Sequence, residues 1–281
     1  MNRGAELLDS DLDEAEKCYR RALELDESLS GAWFDLGLVH KWRREWQDCL
    51  RCNREAVRLN QSEPGSGDPG YWNAGIAATA LRDWETARWA WIGFGVPLAE
   101  GSGEIQEDFG LGAVRLPDGE TVWGWRVDPA RMRLASVPLP ESGFRCGDIV
   151  LHDGSPEGVR VFQGREFSVF DVIERFARSD LPTIELLVDA RESDVRSLID
   201  AISSHDGFTV ENWTQSVTVH CAACSRGRVD YDHPDHDHPQ PEHVGYVRLG
   251  CSGEPAIVEE VAAEWQATSD GVVQRTVVHE S

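Results

Sequence analysis

One pattern is written twice between residues 33 and 91. Trp33 is followed by Leu36-Gly37, then by Trp46 nine residues after that glycine, then by Ala56. Tyr71 is followed by Ala74-Gly75, then by Trp84 nine residues after that glycine, then by Ala87 and Trp91. A partial copy precedes both: Ala15, Tyr19 and Ala22 run into "LELDES", whose counterpart is "AVRLNQSEP" at Ala56. Such a repeat constrains the fold more than any other feature of the chain. Trp33, Leu36, Gly37 and His40 fall at helical spacing, so each copy predicts amphipathic helices. The small residues let paired helices approach, and the aromatics fill the space between pairs. Each pair leaves an apolar face that another pair must cover.

This arrangement resembles the tetratricopeptide repeat, whose period is about 34 residues. The resemblance covers roughly residues 5–98. The third copy fits after about four extra residues in "PGSGDPG", Pro64 to Gly70. Cys49 and Asn53 stand where the family prefers a small and an aromatic residue, and His40 where a Tyr or Leu is usual. The resemblance implies helical hairpins over 1–98 and a concave groove lined by the first helix of each pair. Carried over by position, the groove residues are Phe34, Leu38, Lys41 and Trp42 from one copy, and Trp72, Ile76 and Thr79 from the next. That face is apolar. It suits a hydrophobic segment of a partner protein, or the part of this chain that follows.

Composition limits the partners. The chain has 281 residues, 41% of them hydrophobic, and a formal net charge of -23. A phosphate backbone needs clustered Lys and Arg, and the only lysines are Lys17 and Lys41. Nucleic acid and anionic membranes are therefore excluded as expected partners, and a protein or peptide with basic patches is favoured. No run approaches 18 apolar residues, so no membrane span is expected. The opening "MNRGAELLDS" has no apolar stretch of signal-peptide length, which makes the cytoplasm the expected compartment. Seven cysteines, an odd number, point to reduced thiols or metal ligands rather than a disulfide framework.

After a Gly-rich linker, "FGVPLAEGSGE", the pattern changes to short extended runs separated by turns. The runs are 113–116, 121–127, 131–137, 148–152, 159–162 and 167–170. They predict a small antiparallel β-barrel or curled sheet over 99–179, closed by a short helix from Val172 to Arg178. "RCGDIVLHDG" sets Cys146, Asp148, His152 and Asp153 close together. A Cys–His pair would make a nucleophile if the side chains met. Without an activating turn or a third orienting group, a strand end and a surface turn is the expected arrangement.

From residue 180 to 281 the order is strand, helix, strand, strand, helix, strand. That order predicts a split βαβ, ferredoxin-like α+β sandwich. Between its second and third strands lies "HCAACSRGRVDYDHPDHDHPQPEH", from His220 to His243. Cys221-x-x-Cys224 can bite one metal, and the histidines that follow offer neutral nitrogens. Cys221, Cys224, His236 and His238 make a tetrahedral set for zinc, with His233 the chief rival. A closed four-ligand shell makes that zinc structural, supplying on the order of 10 kcal/mol to order a stretch almost without apolar residues.

The expected whole is a multidomain α + β protein acting as an adaptor, with a peptide groove in front and a zinc-stiffened tail. The competing expectation is a metal-dependent hydrolase that uses the Cys/His/Asp stretch as its active site, although no HExxH-type spacing is present.

Overall fold

Residues 11–216 and 246–279 are described by the computed structural model. The chain divides into two units, Met1–Glu107 and Asp108–Ser281.

The first unit is helical: α1 (Leu12–Leu25), α2 (Ser30–Trp42), α3 (Trp46–Asn60), α4 (Pro69–Ala80) and α5 (Trp84–Phe94). Short turns make each helix the neighbour of the next, and α2 also touches α4. The starts are set by side chains. Asp11 accepts the amides of Asp13 and Glu14, Asp68 accepts that of Gly70 with Pro69 in the first turn, and Asp83 accepts that of Thr86. Gly95, at φ +113°, takes the left-handed conformation that ends α5.

The twofold pattern has a physical basis in its glycines. A Cβ on Gly75 would fall 2.7 Å from the Trp91 ring, and one on Gly37 would fall 2.4 Å from Asn53 Nδ2. Asn53 stands sixteen residues after Gly37, and Trp91 sixteen after Gly75. Each second helix thus presses one large side chain into the bare backbone of the helix before it. The segment expected as a linker, Phe94 to Glu104, belongs to this unit: Phe94 ends α5, and Arg88 donates to Ala99 O, Gly103 O and Glu104 O at 3.0–3.4 Å.

The second unit holds both β layers. Strands β1 (Leu111–Arg115), β2 (Thr121–Arg126), β3 (Arg131–Leu134), β4 (Ile149–Phe162) and β5 (Arg165–Ala177) close into a barrel. Its core is Val114, Leu116, Met132, Leu134, Val150 and Phe170. Three expectations are corrected here. The barrel is not wholly antiparallel, because β1 pairs with β5 in parallel. Residues 159–162 are the end of β4 rather than a strand of their own. The meander therefore has five strands, and in a meander of five the first and last run the same way. The segment Val172 to Arg178, expected as a helix, is strand through Ala177, paired with β4 across several register shifts. Gln163 and Gly164, at φ +50° and +74°, form the two-residue turn of this hairpin.

Strands β6 (Thr183–Asp189), β7 (Thr209–Asn212), β8 (Val247–Ser252) and β9 (Val272–His279) form an antiparallel sheet in the order β7-β8-β6-β9. Between them run α6 (Glu192–Ser203), α7 (Trp213–Ser216) and α8 (Pro255–Thr268). Ile184, Leu186, Val188, Leu249 and Cys251 face Val195, Leu198, Ile202, Val258 and Trp265. The long second strand expected from "FTVENWTQSVTVHC" is shorter within the described residues: it stops at Asn212, whose Oδ1 accepts the Gln215 amide as α7 begins.

The barrel and this sheet, expected as domains 99–179 and 180–281, share one unit. Trp213 Nε1 donates to Val137 O at 2.9 Å, and Arg145 Nη2 to His279 O at 3.2 Å. Gly250 leaves room for the Trp213 ring, since a Cβ there would lie 2.1 Å from it.

Candidate functional site

The seven expected groove residues lie on α2 and α4, which are in contact. They differ in what they present. Trp42 is 56% exposed at the end of α2, with the Lys41 ammonium 5.2 Å from its ring centroid. Phe34, Leu38 and Trp72 are half-buried. Ile76 and Thr79 are fully buried, and Lys41 is nearly so, its Nζ donating to Asn73 Oδ1 at 3.2 Å between the two helices. Trp72 meets Trp91 and Phe94 edge-on, with centroids 5.0 and 4.7 Å apart. Direct contact with a partner is therefore open to Trp42, Phe34, Leu38 and part of Trp72. Ile76 and Thr79 offer no surface.

The four zinc-ligand candidates, Cys221, Cys224, His236 and His238, lie outside the described residues, as does His233. Among the described residues, no group of three or more His, Cys, Asp or Glu is placed to hold a metal ion.

The Cys146–His152 pairing raised by the sequence is not made. The Cys146 thiol lies 3.7–3.9 Å from Leu134 O, Ala135 O and Thr209 Oγ1, and burial pushes its pKa up. His152 is fully buried, stacked on Phe170 at 4.6 Å, with Nδ1 2.8 Å from Asp153 O. Burial pushes its pKa down to about 4, so the ring is neutral. Asp148 accepts the amides of Arg145 and Ser179 and pairs with Arg175. Cys146 packs with Val137 and Trp213, and His152 with Phe170, so the two side chains belong to different parts of the packing. Burial also raises the Cys251 thiol to about 12 and the Cys52 thiol to about 11, which keeps both protonated.

Two half-buried carboxylates flank the segment joining β3 to β4. Both oxygens of Glu120 accept the Leu139 amide at 3.1 Å, and burial pushes its pKa up to about 7, with Asp118, Glu211 and Glu141 adding to the rise. Glu211 on β7 is also raised by burial, against hydrogen bonds from Ser136 and Val137.

A cavity of about 810 Å³ opens on the helical unit, lined by α3, α5 and the start of α4. Its charged lining is Arg51, Arg54, Glu55 and Arg58, and its aromatic lining is Tyr71 and Trp89. Reasoning from sequence missed it. The only signal was the i, i+3, i+7 spacing of the arginines, which puts them on one side of α3.

No protein-family model matches the chain, and no curated protein matches it. Within the described residues, no helix is long and apolar enough to cross a membrane.

Proposed function

We propose that this chain is a protein-binding adaptor, which captures a peptide segment on the first helices of tetratricopeptide-like hairpins. The observation that carries this reading is Trp42: a 56% exposed indole at the end of a helix whose neighbouring Phe34 and Leu38 are also partly open. Large aromatics left in water at the edge of a helical stack are the usual anchors of protein interfaces. The contact between α2 and α4 supports it, since a groove of first helices needs those helices side by side. The net charge of -23 favours a partner with basic patches, with association weakening as salt rises. The ferredoxin-like and barrel layers act in this reading as a second presenting surface.

Within the same reading, Cys221, Cys224, His236 and His238 hold one structural zinc in the C-terminal part. Metal analysis of protein purified without a histidine tag tests this and is expected to give about one zinc per chain. Cys221→Ser with Cys224→Ser is expected to release the metal and lower the melting temperature of the second unit. A metal-free wild type, or a double variant that melts as the wild type does, contradicts the structural site. A metal-dependent hydrolase would instead give a folded double variant that has lost a hydrolytic activity.

A further inference from the structure

We propose that the cavity between α3 and α5 is a second ligand site, which takes a short acidic peptide segment carrying an apolar side chain between its carboxylates. It shares no residue with the first-helix groove and does not depend on it.

Charge is the first support. Arg51, Arg54 and Arg58 line the cavity with a single carboxylate, Glu55, in a chain whose net charge is -23. At i, i+3 and i+7 the three guanidinium groups span about 10 Å along the helix. An extended peptide covers that distance in about three residues, so carboxylates three positions apart reach Arg51 and Arg58, and carboxylates two apart reach Arg54 and Arg58, about 6 Å apart along the helix. Arg54 is the free member. Among the described residues it has no carboxylate partner, and its guanidinium lies 5.3 Å from the Trp89 ring centroid. Arg51 and Arg58 pair with Asp48 and Glu55 on their own helix. Those exposed pairs hold weakly and can be exchanged for ligand carboxylates.

The apolar wall is built, not incidental. Trp89 is 40% exposed, yet it is braced by Tyr71, edge-on at 5.2 Å. Tyr71 is buried and donates its hydroxyl to Ser62 O at 3.2 Å. Its ring fits only because residue 93 is glycine, where a Cβ would lie 2.3 Å away. Leu50 and Leu81 complete the slot for an apolar side chain. Gln47 and Gln61 also line the cavity, and a side-chain amide can both donate to and accept from a peptide backbone.

The test uses the full chain and fluorescein-labelled hexapeptides in an anisotropy titration. The library places three Asp or Glu around one Leu or Phe, and a matched set replaces the acids with Asn and Gln. The tightest acidic peptides are expected to bind at least tenfold more tightly than their amide counterparts. Arg54→Gln and Trp89→Ala should each weaken binding at least tenfold, and Trp42→Ala should leave it unchanged. Arg54 is exposed, so its variant reports on the site even where Trp89→Ala disturbs folding. Equal binding of acidic and amide peptides, no binding by any member, or full affinity in Arg54→Gln would overturn the site. Loss of binding in Trp42→Ala would assign the peptides to the groove instead. Phosphoserine versions binding where carboxylate versions fail would overturn the assigned ligand class.

Discussion

Single positions carry much of the helical unit. Gly75 has no space for a methyl group, because the Trp91 ring already occupies it. Gly75→Ala is therefore expected to destabilise the unit by about 2 kcal/mol, the usual cost of overpacking, read from urea unfolding followed by circular dichroism. A variant as stable as the wild type would mean that α4 and α5 are not pressed together at this point. His152 makes a second case. Its neutral ring is buried in the barrel, while in the unfolded chain it titrates near 6.5. The folded state resists taking up the proton, so stability is complete above about pH 6.5 and is lost as the pH falls toward 4. The loss is roughly 3 kcal/mol. His152→Gln cannot titrate, and its melting temperature is expected to fall less steeply than that of the wild type across this window. Parallel slopes would contradict the assignment.

At the scale of elements, Glu120 ties Leu139, just before the short 3-10 turn at Pro140–Ser142, to the start of β2. Its carboxyl keeps a proton up to about pH 7 when folded and gives it up near 4.5 when unfolded. The folded state therefore binds more protons, and this group's contribution to stability falls as the pH rises from about 4.5 to 7. Glu120→Gln is expected to gain stability over the wild type at pH 8 relative to pH 5, read as the difference in melting temperature. No change in that difference would place the carboxylate in water. Local signals underlie several elements: Asp11, Asp68 and Asp83 start helices in the structure, Gly95 ends one, and Val195, Leu198 and Ile202, at helical spacing in the sequence, form the inward stripe of α6. What local signals miss is long-range pairing. "VIERFAR" has residues compatible with a helix, but β4 offers it a ladder through Ile149 to His152, and that pairing decides its state. The parallel closure of the barrel was hidden for the same reason, since it follows from the number of strands. The exposure of Trp42 and the burial of Ile76 are likewise set by which helices meet, as is the cavity beside Trp89.

Across the whole molecule, among the described residues, the thiols of the barrel and sheet and the barrel's His152 are buried, and the most exposed aromatic is Trp42 on the helices, ahead of Trp125 and Phe162 on the barrel strands. The account therefore centres on capture of a partner through Trp42. The most direct measurement compares wild type and Trp42→Ala as bait in a lysate of the native host, with the melting temperature of each recorded alongside. The account predicts that a protein retained by the wild type is lost by the variant, while the melting temperature stays within about 2 °C, as for other exposed substitutions. Equal retention of that protein by the variant would contradict it, and so would a drop of many degrees showing that the ring is packed within the fold.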